Sequence, residues 1–89
     1  MLENMPLDID ELKKKIIYRS NYRGTKEMDI LLSSFVKAII DQLNNKELED
    51  LFDLINIDDD NLYKFKQGKK IQIQVKDNRI TEKFKEFKI

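Results

Sequence analysis

The sequence predicts an all-α fold, a small five-helix bundle that forms a single domain. Apolar residues recur at spacings of three and four along most of the chain, which is the spacing of one helix face. Residue types that cap helix N-termini, namely aspartate, asparagine and threonine, precede these stretches. With 89 residues, the chain has room for one small domain and not for a second.

The first helix is predicted to follow a flexible leader at residues 1–7, so that residues 8–89 form the helical domain. Asp8 or Asp10 can serve as its N-cap. Gly24 is expected to end it in the left-handed conformation, which glycine adopts readily. Its buried face is predicted to consist of Ile9, Leu12, Ile16 and Ser20.

The second helix is expected to begin after the N-cap Thr25 and to run for about five turns. Glu27 and Asp29 lie in its first turn, where the helix dipole favours negative charge. Its apolar stripe should form the centre of the core and comprises Met28, Leu31, Leu32, Phe35, Ala38, Ile39 and Leu43.

Two shorter helices are predicted next. Asn44 and Glu47 have the spacing of a capping box at the start of the third helix. Asp58, Asp59 and Asp60 lack the alternating ligands of a calcium loop, so we interpret them as a turn with an N-cap for the fourth helix, which stops before Gly68. The apolar positions of the two helices are Leu48, Leu51, Phe52 and Ile55, then Leu62, Tyr63 and Phe65.

The C-terminal segment is expected to hold the fifth helix. Ile71, Ile73 and Val75 alternate with polar residues, but a lone strand has no pairing partner, so residues 69–75 are predicted as an extended connection. Asp77 is predicted to cap a helix at residues 77–87. Its apolar face would carry Ile80, Phe84 and Phe87.

The composition argues against an enzyme. The chain has no cysteine and no histidine, so thiolate metal sites, catalytic triads and the commonest general base are excluded. Two glycines cannot build a phosphate-binding loop, and we expect no cofactor to be bound by the chain itself. Residues 27–63 carry two basic and ten acidic groups, which opposes nucleic-acid binding, although residues 64–89 carry nine basic and three acidic groups.

The same composition predicts a cytoplasmic protein. No apolar run approaches the roughly 20 residues that span a bilayer, so we expect no membrane insertion. The N-terminal residues have no basic region followed by an apolar core, as a signal peptide would have.

Residues 18–29 concentrate the side chains that most often anchor protein interfaces. Arg19 and Arg23 are four apart and share one helix face, with Tyr22 beside them. Gly24 lies at the corner between two helices, and Glu27 comes one turn into the second. A purely structural alternative makes Gly24 a helix C-cap and sets the arginines against the helix dipole. The convergence of these side chains favours a docking surface for another protein.

Residues 18–35 also resemble the signature of the SdhE family, the small bacterial succinate dehydrogenase assembly factors that are related to the mitochondrial flavinylation factor. The resemblance continues through residues 51–55 and 60–65 to Gly68. The matching positions of the signature are Tyr18, Arg19, Ser20, Arg23, Gly24, Glu27, Asp29, Leu31, Leu32 and Phe35.

This resemblance implies a helper that binds the flavoprotein subunit of succinate dehydrogenase, and sometimes of fumarate reductase. We expect the chain itself to be a monomer. It would promote covalent attachment of FAD to a histidine of that client, which carries out the chemistry itself. The family motif maps onto Arg23, Gly24 and Glu27, to which we add Arg19, Tyr22 and Asp29 because they share the corner. In this hypothesis Gly24 lets the client backbone approach, Arg23 binds client carboxylates or carbonyls, and Glu27 accepts hydrogen bonds.

Two alternatives belong to other functional classes. The chain could be a helical adaptor, such as a transcriptional or antitoxin-like regulator, that shares the short motif by chance. A flavin-binding enzyme is the third option.

Overall fold

The computed structural model describes residues 8–21 and 23–88, which form helices and their connections without a strand. A short 3₁₀ turn at Ile40–Gln42 extends the second helix. The predicted all-α five-helix bundle is confirmed, whereas the predicted leader at residues 1–7 lies outside the described residues. The α-helices are Ile9–Asn21 (α1), Lys26–Ile39 (α2), Asn45–Ile55 (α3), Asp59–Lys66 (α4) and Arg79–Glu86 (α5).

Side-chain caps define where the helices begin. The capping box of α3 pairs the Asn44 side chain with the backbone of Glu47 at 2.8 Å, and the Glu47 side chain with the backbone of Asn44 at 3.3 Å. The prediction that Asp77 caps α5 is wrong. Asn78 is the N-cap, because its side chain and that of Thr81 form a reciprocal capping box. The predicted caps of the first four helices are confirmed at Asp8, Thr25, Asn44 and Asp58.

One apolar core joins the helices. Phe35 of α2 is fully buried and packs edge-on against Phe84 of α5 and against Phe87, with ring centroids 5.3 Å apart in both pairs. On the predicted inner face of α1, Leu12, Ile16 and Ser20 are buried, while Ile9 is partly buried and packs against the core. The buried apolar side chains are Leu12, Ile16, Met28, Leu32, Phe35, Val36, Ile39, Ile40, Leu48, Leu51, Leu54, Ile55, Leu62, Ile80 and Phe84.

The core departs from the prediction along α2. Ala38 was expected in the apolar stripe but is exposed, because at about 100° per residue it points away from the line through Phe35 and Ile39. Val36 takes a buried position instead. Leu43 lies beyond the 3₁₀ turn and is half-buried, so the regular helix is shorter than predicted.

The end of α4 and the end of α5 are tied together. Lys66 Nζ donates to the backbone carbonyls of Phe84 (2.7 Å), Lys85 (3.2 Å) and Phe87 (2.5 Å). The last carbonyls of a helix have no partner within it, so the ammonium group satisfies the end of α5. Burial lowers the pKa of Lys66.

The connection between these two helices has no regular structure at residues 69–78. As predicted, α4 stops before Gly68, whose φ of 75° is the left-handed conformation. None of the described helices is long and apolar enough to cross a membrane.

Candidate partner-binding surface

The corner between α1 and α2 is fixed by Arg23, whose guanidinium binds three groups at the end of α3, in the α3–α4 connection and at the start of α4. Its Nε donates to Asp59 Oδ1 at 2.7 Å, and its Nη1 and Nη2 donate to the carbonyls of Ile55 and Ile57, both at 2.6 Å. We call this group of four residues the Arg23 hub. The side chains of Arg23 and Asp59 are 11% and 22% exposed, so the pair is largely withdrawn from water.

This arrangement changes the interpretation of Arg23. The sequence hypothesis directs its guanidinium toward a client, but in the structure all three of its nitrogens donate within this chain. A planar guanidinium can span a carboxylate and two carbonyls at once, which a lysine ammonium cannot do with the same geometry. Arg23 therefore determines the shape of the corner.

Gly24 lets the Asp59 carboxylate approach the backbone closely, and it is not required for an unusual backbone conformation. The prediction of a left-handed Gly24 is wrong, because Gly68 is the glycine with positive φ in the described residues. The N–H of Gly24 donates to Asp59 Oδ2 at 2.8 Å, and a Cβ added there would lie 3.2 Å from that same oxygen. The Asp59 carboxylate thus receives Arg23 on one oxygen and Gly24 on the other.

Arg19 contacts the same connection but keeps its charge available. Its Nη1 donates to Asn56 Oδ1 at 2.9 Å, and its guanidinium carbon lies 5.8 Å from the centre of the Phe52 ring. Both partners are neutral, and among the described residues this exposed arginine forms no ion pair with a carboxylate.

An acidic groove opens on one side of the Arg23 hub. It encloses about 640 Å³ and carries the carboxylates of Glu27, Asp59 and Asp60. Glu27 is exposed, and Tyr63, which also lines the groove, is 53% exposed. The lining residues are Gly24, Thr25, Glu27, Met28, Asp59, Asp60 and Tyr63.

A basic groove opens where Arg23 itself is part of the lining. It encloses about 600 Å³ and has Phe52 as its apolar wall. Arg23 thus lines one groove and Asp59 the other, so their ion pair separates two surfaces of opposite charge. The lining residues are Lys14, Lys15, Tyr18, Arg19, Arg23 and Phe52.

The predicted site residues are therefore divided among different positions. Gly24 and Glu27 line the acidic groove, and Arg19 and Arg23 line the basic groove. Asp29 is half-buried on α2 and belongs to neither lining, while Tyr22 lies outside the described residues.

Sequence reasoning missed Asp59, on which the corner depends. One of the three consecutive aspartates is required as the N-cap of α4, and Asp58 fills that position. The sequence offered no specific signal here, because the helix dipole already accounts for an aspartate in the first turn of α4. Nothing local identifies Arg23 as its partner, since 36 positions separate the two residues.

Comparison with known proteins gives consistent family matches. The family profile described as "Flavinator of succinate dehydrogenase" matches residues 14–88. The mitochondrial succinate dehydrogenase assembly factor 2 of Saccharomyces cerevisiae is 38% identical over 60 residues, which cover 67% of this chain and 36% of the yeast protein. No solved structure matches.

Two further relatives extend the comparison. The FAD assembly factor SdhE of Acetobacter pasteurianus is 36% identical over 50 residues, 56% of this chain and 46% of that protein. The mitochondrial succinate dehydrogenase assembly factor 2 of Dictyostelium discoideum is 39% identical over 49 residues, 55% of this chain and 35% of that protein. The matched segment thus spans less than half the length of each of these curated relatives.

Proposed function

Because this chain belongs to the family of flavinators of succinate dehydrogenase, we propose that it binds the flavoprotein subunit of that enzyme and promotes covalent attachment of FAD to it. The observation that carries the proposal is the exposed edge formed by Gly24 and Glu27 inside the region matched by the family. The match over residues 14–88 extends far beyond the short motif, which argues against an adaptor that shares the motif by chance.

The proposed action is positional. The chain contains no histidine and no cysteine, so formation of the flavin bond is assigned to groups of the client. This protein would hold the immature client in a conformation that orders its flavin site, and would then dissociate. Ordering a reactive geometry can lower a barrier substantially without any chemical group from the helper.

Each corner residue has a separate proposed role. Glu27 accepts hydrogen bonds from client donors, and Gly24 allows the client backbone to approach because it presents no side chain. Arg23 acts indirectly, by holding Asp59 and the α3–α4 connection in place. Tyr22 and Asp29 complete the proposed set of contact residues.

The setting of this action also belongs to the proposal. We expect a monomer in the cytoplasm that does not bind nucleic acid, does not insert into a membrane and leaves FAD with the client. The relatives from yeast and Dictyostelium are named as mitochondrial proteins, so the compartment of this chain stays a prediction.

The experiment is co-expression of the flavoprotein subunit with variants of this chain, followed by in-gel flavin fluorescence after denaturing electrophoresis. We expect Glu27→Ala to lower covalent flavin on the order of tenfold or more, because a charged hydrogen bond contributes about 1.5–3 kcal/mol. Gly24→Arg should abolish the fluorescence signal, because its side chain would occupy the space through which the client backbone approaches. The matched control is Glu49→Ala, an exposed glutamate on α3 outside both grooves, which should behave like wild type.

Helicity and thermal unfolding of each variant show whether it is folded. Full flavinylation supported by a folded Glu27→Ala variant together with a folded Gly24→Arg variant would contradict the proposed site. Flavinylation that does not depend on the wild-type chain at all would contradict the proposed function.

A further inference from the structure

The basic groove is lined by four cationic side chains, of which only Arg23 forms an ion pair with a described residue. Lys14, Lys15 and Arg19 line it without any carboxylate in the lining, and none of the three forms an ion pair with a described residue. On the same helix, Lys13 points elsewhere and pairs with Asp41 at 3.7 Å. The unpaired cations are therefore gathered on one side of α1.

Helix geometry explains why these side chains meet. Lys15 and Arg19 are one turn apart, so they lie along one stripe of α1. The neighbouring stripe of α1 is buried through Leu12 and Ile16, so Lys15 and Arg19 lie at the edge of the buried face. Arg19 is further held by its hydrogen bond to Asn56, so its charge is placed before any ligand arrives.

The groove also offers an apolar contact. Phe52 is half-buried, and the guanidinium of Arg19 lies 5.8 Å from its ring centre. A ligand with carboxylates alone would leave this wall unused. The groove therefore suits a segment that combines several carboxylates with one apolar or aromatic side chain.

Continuity with the corner identifies the kind of partner. Arg23 lines the basic groove, and its ion-pair partner Asp59 lines the acidic groove, so a protein seated at the corner can reach both surfaces. Two adjacent surfaces of opposite charge accept a partner in one orientation, because the reversed orientation places like charges together. A nucleic acid or a uniformly acidic chain would be repelled by the acidic groove.

We propose that the basic groove binds an acidic segment of the client flavoprotein, with aspartates or glutamates around one apolar side chain. This inference rests on the proposed function and adds a second contact that orients the client. The contact formed by Glu27 is separate from it and lies across the Arg23 hub.

The test compares two double variants with the same change in charge. Lys14→Glu/Lys15→Glu reverses the groove, and Lys69→Glu/Lys70→Glu reverses another adjacent pair of exposed lysines outside both groove linings. The measurement is binding of the purified flavoprotein subunit by calorimetry at low and high sodium chloride. All four lysines are exposed. Far-ultraviolet circular dichroism checks that both variants fold.

We expect the groove variant to bind about tenfold or more weakly at low salt and the control variant to stay within about twofold of wild type. Wild-type binding should weaken as salt rises, and the groove variant should lose most of this dependence. Equal affinity and equal salt dependence of the three proteins would overturn this inference while leaving the proposed function standing. Absence of binding by the wild-type chain would overturn both.

Two measurements test whether the groove binds a second copy of the chain or a nucleic acid instead of the flavoprotein. Sedimentation of the chain alone reports self-association, and titration with a single-stranded oligonucleotide reports nucleic-acid binding. If the groove variant altered only one of these properties and kept full affinity for the flavoprotein, the proposed occupant would be wrong.

Discussion

Gly24 and Gly68 each follow a helix, but the chain uses them for different physical reasons. At Gly68 the backbone is left-handed, with φ of 75°, and a Cβ there would have no neighbour within 4 Å. The N–H of Gly68 donates to the Phe65 carbonyl at 3.0 Å, and the N–H of Lys69 donates to the Lys64 carbonyl at 2.9 Å. These are the paired bonds of a Schellman motif, and all of them are local.

At Gly24 the determining contacts are distant in sequence. Asp59, which accepts from the Gly24 N–H, lies 35 positions away, and Arg23 joins the same carboxylate. The turn at Gly68 therefore ends one helix, whereas the corner at Gly24 holds two helix connections together and shapes two grooves. We infer that a glycine's conformation and its surroundings must be judged separately before a role is assigned to it.

The largest loss of stability is expected from a substitution that breaks the contacts of Asp59 with Arg23 and Gly24. Asp59→Asn removes the negative charge, and its amide NH₂ must face either Arg23 Nε–H or Gly24 N–H, which are both donors. We expect the free energy of unfolding to fall by about 2–4 kcal/mol, since a largely buried arginine loses its counter-charge. Urea unfolding measures the change.

The neighbouring carboxylate provides the control for that variant. Asp60 pairs with Lys64 at 3.1 Å, but its side chain is 72% exposed. Asp60→Asn should therefore cost less than about 0.5 kcal/mol. Similar losses for the two variants would contradict the importance assigned to the Arg23 hub.

A smaller effect is expected at the local turn. Gly68→Ala should destabilise the protein by about 1–2 kcal/mol, because the alanine is forced into the left-handed region while its methyl group meets no neighbour. Gly68→Asn should recover part of this loss, since asparagine tolerates that conformation. Thermal unfolding of both variants measures the difference, and equal losses would argue that backbone strain is not the cause.

The smallest effect concerns Asp58, the local counterpart of Asp59. Its hydrogen bonds from the Asn61 side chain and backbone lower its pKa below the usual 3.8. A lowered folded-state pKa contributes stability above 3.8 that is lost as the pH falls through the folded-state value. Wild type should therefore lose slightly more stability on acidification below pH 3.8 than Asp58→Ser, whose cap does not titrate.

Paired pH titrations of unfolding, followed by circular dichroism, check this difference. Because the other carboxylates titrate in both proteins, only the difference between the two curves reports the cap. Parallel curves would show that the charge of Asp58 does not contribute to stability through the N-cap.

Most of the fold could be predicted because its signals are local. Helix spacing and caps such as Thr25 and Asn44 act within one turn, so the sequence alone locates them. The misplaced cap at Asp77 is a shift of one residue, caused by the reciprocal bond that Thr81 forms with Asn78. Ala38 was misplaced because spacings of three and four fit a stripe broader than the one that is buried.

The geometry of the candidate site could be predicted only in part. The sequence located the corner through Arg23, Gly24 and Glu27, but it could not identify Asp59 as the residue that holds the corner. That contact depends on how α3 and α4 pack beside α1 and α2. Local rules instead suggested a left-handed Gly24, which is their ordinary explanation for a glycine after a helix.

The carbonyl contacts of Arg23 also affect how genetic data on this protein should be interpreted. A screen for loss of function should recover substitutions at Ile55 and Ile57, because side chains that shift these backbone positions displace the carbonyls that Arg23 binds. Ile55 is fully buried and cannot touch a partner. A map drawn from such mutants would therefore overestimate the contact area, and stability measurements are needed to distinguish the two kinds of defect.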